Sequence, residues 1–154
     1  MPKIEIDQAP VVRGTKYPRP FDEPCRARVN RQLGIAAGLT QFGVNLTRLP
    51  PGTWSSQRHW HSHEDEFIYV LEGEVTLVDD EGEALLRAGE CAGFEAGQRN
   101  GHHLQNRSDR DALLLTVGAR DDRDAGEYPD IDMVFLPNRY AGPGGYARKD
   151  GTRY

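Results

Sequence analysis

Cysteine is scarce in this chain of 154 residues: there are two, Cys25 and Cys91, far apart. A small disulfide-stapled fold needs more of them at closer spacing, so that class is excluded and both read as plain thiols. Cys91 stands between Glu90 and Ala92 in an apolar stretch and is expected in the core. Long apolar runs are missing too. Nothing approaches the roughly 20 residues that a spanning helix requires, and Met1-Pro2-Lys3-Ile4-Glu5-Ile6-Asp7 has no apolar centre of a signal peptide. A soluble, cytoplasmic protein with no membrane partner is the expectation. Blocks of basic residues are also absent, and the formal charge is 19 − 24 = −5, which argues against a nucleic-acid partner. Histidine is sparse and confined: all five lie at His59, His61, His63, His102 and His103.

What is abundant is turn chemistry. Seventeen glycines and ten prolines suit an all-β chain with tight turns, and the length suits one domain with a real core. Residues 1–32, with Pro10, Pro18, Pro20 and Pro24, read as an extended N-terminal arm in which Val11-Val12 forms a short edge strand. The arm is expected to lie over the barrel or over a partner subunit. Gly34 and Gly38 break any helix in 33–39, which is expected to be a connection. Phe42, Val44 and Leu46 alternate with Gly43, Asn45 and Thr47, the period of a half-buried strand. Either row could face an interior cavity. Further strands are expected at 54–61, 66–72, 74–79, 84–86, 91–94, 102–106 and 112–117, about eight between 41 and 118, which suits a double-sheet jelly roll. Ile131–Leu136 reads as one more strand, able to pair with the arm. The expected division is an arm over 1–32, a barrel over 33–137 and a tail over 138–154.

The run His59-Trp60-His61-Ser62-His63-Glu64-Asp65-Glu66 concentrates the chemistry. Strand residues two apart share a face, so His59 and His61 can aim two imidazoles at one point. Imidazole and carboxylate are the side chains that hold a divalent transition metal. Gln57 shares their face and is the best polar residue to support them or to meet a substrate. Glu66 is an odd step from His61, so the turn through His63, Glu64 and Asp65 must reset the register. Those three residues are expected at the cavity mouth, solvated. The charged run Asp121-Asp122-Arg123-Asp124 is likewise expected in solvent.

At these residues the chain resembles the cupins. His59-x-His61, four residues, Glu66, six residues and Gly73 follow the first cupin motif, with Gly52 one residue further upstream than the pattern. Gly89, then Glu95-Ala96-Gly97, His102 and Asn106 follow the second, with a longer loop before His102. Together with Lys149-Asp150-Gly151-Thr152-Arg153-Tyr154, they look like a branch of short single-domain bacterial cupins, over residues 33 to 154. The resemblance implies a double-stranded β-helix (jelly-roll) barrel. It implies one divalent metal ion (Fe, Mn, Zn or Ni) held by His59, His61, Glu66 and His102. His102 is preferred to His103 because it keeps the family's spacing to Asn106.

Some members of that branch carry a sugar-phosphate-isomerase-like label. The first functional expectation is therefore a metal-dependent enzyme on a small polar or phosphorylated substrate, with Glu66 and Gln57 as the catalytic candidates. Arg48, Arg58 and Arg99 are the cations available for a phosphate. An Fe(II)-dependent dioxygenase is the alternative within enzymes, and a binding module without turnover is the alternative outside them. A homodimer is expected, since the arm and the last strand present edges that need cover.

Overall fold

The computed structural model describes residues 3–140 and 142–154; Met1 and Pro2 of the expected arm and Ala141 of the expected tail lie outside the described residues. In chain order the strands are β1 (Val11–Arg13), β2 (Val29–Gln32), β3 (Phe42–Leu49), β4 (Trp60–His61), β5 (Glu66–Glu72), β6 (Glu74–Asp79) and β7 (Gly82–Arg87). They continue with β8 (Cys91–Phe94), β9 (His103–Gln105), β10 (Ala112–Ala119), β11 (Gly126–Tyr128), β12 (Met133–Phe135) and β13 (Tyr146–Ala147). A short α-helix, α1 (Leu33–Ala36), precedes β3, and single 3-10 turns lie at Ile6–Gln8 and Glu23–Cys25.

The alternation in β3 organises the larger sheet. β3 pairs along its whole length with β10, Ala112 opposite Leu49 and Ala119 opposite Phe42. The order is β1-β2-β3-β10-β5-β8. The other layer holds β13-β12-β11-β4 and β7-β6-β9. Single bridges, His59 to His102 and Trp54 to Gln105, join those two groups. The result is a jelly roll of two facing layers.

Period 2 then decides which residues look inward. On β3 the polar row Gly43, Asn45 and Thr47 lines the interior cavity, beside Asn30 and Gln32 of β2 and Thr116 and Gly118 of β10. On β5, Ile68 and Val70 are buried while Phe67, Tyr69 and Leu71 are exposed. Leu49, Val70, Val75, Leu104 and Leu114 close one end of the interior as a hydrophobic cluster. Tyr128, Met133 and Phe135 form a second cluster, against which Tyr17 and Phe21 of the arm pack. Gly73 turns the chain between β5 and β6 at φ +74°, and a Cβ there would sit 2.7 Å from the Asp111 carbonyl. Only glycine meets both conditions.

Eight strands, β3 to β10, fall between residues 42 and 119. Several expectations differ in detail. Leu33–Ala36 forms one helical turn rather than a plain connection, and Gly34 lets it lie against Val44, where a Cβ would be 2.9 Å from the backbone nitrogen. The expected strand over 54–61 is regular only at Trp60–His61, with isolated bridges at Trp54 and His59. The strand in 131–136 shortens to β12, which pairs with β11 and β13 and not with the arm. The arm adds β1 and β2 to the larger sheet instead. Cys91 is exposed, because the edge strand β8 turns it outward, and Cys25 is the buried thiol. Among the described residues no helix is long and apolar enough to cross a membrane.

Candidate metal centre

The backbone brings the histidines together before any side chain is considered. His59 and His102 bridge reciprocally, with N–H to O distances of 3.1 and 2.9 Å. His61 is held in β4 opposite Gly126 of β11. That pairing is close: a Cβ on Gly126 would lie 2.0 Å from the Trp60 carbonyl and 2.4 Å from the Phe135 ring. Glu66 begins β5 on the opposite layer, so its carboxylate reaches across the interior towards the imidazoles.

The resulting distances are short. His59 Nε2 and His61 Nε2 are 3.0 Å apart. Glu66 Oε2 lies 2.8 Å from His102 Nε2, 3.3 Å from His61 Nε2 and 3.5 Å from His59 Nε2. The ligand atoms of His59, His61 and Glu66 all fall within 4.8 Å of one another, and His102 joins that group through Glu66. Its ring stacks flat on Phe94 at 3.5 Å, which sets its plane.

Outer partners decide which nitrogens are free. His59 Nδ1 donates to the Gln57 carbonyl at 2.8 Å, and His61 Nδ1 donates to Asp124 Oδ2 at 2.7 Å. Both rings therefore turn an Nε2 lone pair inward, and two lone pairs at 3.0 Å repel unless a cation or a proton lies between them. Ligand atoms about 2.0–2.2 Å from one metal ion are themselves about 3 Å apart when adjacent, which is the spacing found. An outer carboxylate or carbonyl on each imidazole is also the usual support of a metal-bound histidine. The residues present fit a divalent ion.

When no metal ion is bound, a proton takes the cation's place. Burial would push His61 down, but the carboxylates of Glu66 and Asp124 outweigh it and lift the ring to about 9. Burial lowers His59, with Glu66 opposing. Burial would raise Glu66, but the three imidazoles around it hold it well below the usual carboxylate range.

Behind His61 lies a buried ion network absent from the sequence expectations. Asp124 is 1 % exposed and Glu64 3 % exposed. Arg139 Nη2 donates to Glu64 Oε2 at 2.6 Å and to Asp124 Oδ2 at 2.7 Å. Tyr140 Oη and the Asp121 amide also donate to Glu64. His61, Glu64 and Asp124 have ligand atoms within 4.8 Å, but the guanidinium already bridges the two acids, so this group orients His61. Glu64 and Asp124 are thus not solvated as expected. Nothing local marks them, since Asp124 stands in a charged run and Arg139 in an expected loop. His63 and Asp65 are exposed.

The remaining candidates separate by contact. Gln57 is buried, and its side-chain amide donates to the Phe21 carbonyl at 2.8 Å, tying the arm to the strand that carries His59. It supports His59 through its backbone carbonyl. His103 points away from Glu66: Nδ1 donates to the Ser56 carbonyl at 3.0 Å, and Nε2 accepts from Gln105 at 3.0 Å. Both ring nitrogens are engaged, and burial lowers its pKa to about 4. Of the expected phosphate cations, Arg48 pairs with Asp111, Arg58 with Asp80 and Asp130, and Arg99 lies over Trp60. The arginines lining the cavity, about 390 Å³ in volume, are Arg28, Arg120 and Arg139.

The comparisons with known proteins agree with this geometry. The cupin domain model matches residues 45–118, which hold all four motif residues. The crystal structure of a sugar phosphate isomerase from a cupin superfamily, from Silicibacter pomeroyi, is 41% identical, with a TM-score of 0.92 over 99% of this chain and 96% of that one. A protein from Acidithiobacillus ferrooxidans, provisionally named a sugar phosphate isomerase, is 30% identical, with a TM-score of 0.74 over 82% of this chain and 80% of that one. No curated protein matches. A fold shared over nearly the whole length at that identity, with the motif histidines and glutamate gathered inside it, places this chain in the cupin superfamily.

Proposed function

We propose that the protein is a metal-dependent enzyme that interconverts aldose and ketose forms of a small phosphorylated sugar. The observation that carries the reading is the inward pair of Nε2 atoms of His59 and His61, 3.0 Å apart and closed by Glu66, at the wall of a polar cavity. The names of two similar cupins point to the same substrate class. His59, His61, Glu66 and His102 would hold one divalent ion, which when bound supplies Lewis-acid polarisation of substrate oxygens.

The protein's own groups do the rest. The Gln57 carbonyl and Asp124 fix the orientation of His59 and His61, and Gln57 holds the arm over the site as a positioning residue. An isomerisation moves a proton between adjacent carbons, which requires a base within reach of both. All three imidazole contacts of Glu66 fall on Oε2 and hold the carboxylate well below its usual range, so it acts as a ligand, with Oε1 left to accept from a substrate hydroxyl beside the carbon that loses its proton. Phe94, Phe135 and Tyr128 around the imidazoles limit water there.

The working form is read as a homodimer in the cytoplasm. Both thiols are free, which suits a reducing compartment. The outer face of the larger sheet carries two apolar rows in register, Leu46–Leu115–Tyr69 and Val44–Val117–Phe67, a surface for a second copy.

The direct test is proton NMR of metal-loaded protein with a panel of aldose phosphates. Conversion to ketose phosphates that stops on chelation, and falls 100-fold or more in Glu66→Gln, is the expected result. Full metal occupancy with no conversion of any panel member, or oxygen uptake instead, overturns the assignment.

A further inference from the structure

Arg28 stands immediately before β2 and lines the same cavity as the imidazoles. Its Nη2 donates to the Gly14 carbonyl at 2.8 Å, and its Nη1 donates to the Ser55 carbonyl. Both acceptors are neutral. Among the described residues no carboxylate pairs with it, whereas Arg139 in the same cavity holds two. Its Nε is buried without a hydrogen-bond partner. One strand period further on, Asn30 Oδ1 is buried and unpartnered too. Buried polar atoms are nearly always paired, and a guanidinium that meets only carbonyls lacks a counter-charge. A donor and an acceptor left open side by side on one strand face call for a ligand that offers an anionic oxygen and a hydroxyl.

The surroundings suit that ligand. Tyr17, Tyr128 and Tyr146 line this part of the cavity, with the Tyr17 ring edge-on to both others at 5.4 Å. Burial raises all three hydroxyls, so they remain protonated donors. The region adjoins the imidazoles: the Tyr128 ring is 5.7 Å from His59. Ser55, which holds Arg28, is followed by Ser56, whose Oγ lies 3.3 Å from His59 Nδ1.

We propose that Arg28, with the hydroxyl of Tyr17, binds the phosphoryl group of the substrate, and that Asn30 Oδ1 accepts a hydrogen bond from an adjacent sugar hydroxyl. A phosphoryl group is preferred to a carboxylate because it presents three oxygens to donors arriving from several elements. The assignment rests on the sugar-phosphate reading of the site, which it makes specific. It also gives the arm a function, since Tyr17 and Arg28 both come from residues 1–32.

The test uses metal-free protein and no turnover, so it is independent of the reaction. Inorganic phosphate and glycerol 1-phosphate are titrated by calorimetry into the unaltered protein, Arg28→Met, Asn30→Leu and the exposed control Arg48→Met. Both ligands should saturate, with affinity at least tenfold weaker in Arg28→Met and unchanged in Arg48→Met. Asn30→Leu should weaken glycerol 1-phosphate severalfold and spare inorganic phosphate. If Arg28→Met does not fold, Tyr17→Phe decides the matter, with a threefold or greater loss of phosphate affinity at unchanged melting temperature. No saturation by phosphate, equal affinity in Arg28→Met and the unaltered protein, unchanged affinity in Tyr17→Phe, or tighter binding of acetate than of phosphate overturns the proposal. Phosphate binding without isomerisation would leave this site standing and remove the reaction. Isomerisation with a KM indifferent to Arg28→Met would do the reverse.

Discussion

Adjacent residues His102 and His103 show how much one step along a strand decides. His102 reaches Glu66 at 2.8 Å, while His103 spends both nitrogens on Ser56 and Gln105. His102→Ala should lower metal affinity tenfold or more, whereas His103→Ala should leave metal content intact and cost stability; metal titration of both variants checks this. Asp124→Asn should also weaken metal binding, by roughly 10-fold or more, because it disturbs the group that turns His61 Nε2 inward. The same titration would show unchanged affinity if Asp124 were only structural. The two thiols differ as sharply. Cys91 is exposed and should react with a thiol reagent at once, and Cys25 only after denaturation. Burial lifts Cys25 to about 11, so the unfolded chain releases its proton first. Stability supplied by the buried thiol is present below pH 9 and declines as pH rises towards 11, and denaturant melts across that window measure it.

Among the elements, β4 and β11 matter most, since the first carries His61 and the second holds it in place. Gly126 lets them approach, and a methyl group there would collide with the Trp60 carbonyl and the Phe135 ring. Gly126→Ala should destabilise the protein by about 1–3 kcal/mol or more, the scale of overpacking. Because the strand that must shift carries a ligand, metal content should fall along with melting temperature. Loss of stability at full metal content would show that the β4–β11 pairing does not set the centre. β5 serves both faces: Glu66, Ile68 and Val70 build the interior, and Phe67, Tyr69 and Leu71 remain outside.

For the whole molecule the outward rows of β3, β10 and β5 predict assembly. Phe67 is 41 % and Tyr69 36 % exposed in the single chain, and contiguous apolar surface of this kind marks an interface. Light scattering should give twice the chain mass of 17.2 kDa. Tyr69→Glu should halve it while leaving metal content unchanged, since its side chain faces away from the cavity. A monomer at micromolar concentration in the unaltered protein would remove the dimer.

Period 2 and turn chemistry made most of the barrel legible from residues alone. The alternation of β3 and the split faces of β5 follow from local period 2, but which row of β3 faces the cavity was settled only when the second layer closed over it. The shared face of His59 and His61 follows in the same way, whereas Glu66 and His102 are expected beside them only through the resemblance to the cupin motifs. What tertiary structure alone decided is remote in sequence. Asp124 and Glu64 look like solvated charges until Arg139 arrives from the tail to pair with both, and no local pattern encodes a partner 15 or 75 residues away. Arg28 is one of many arginines until the arm's pairing with β3 turns it into the cavity and leaves its Nε buried. Alternation is a property of neighbouring residues, but burial of a charge depends on which distant segment lies over it, and that is settled only when the two layers close.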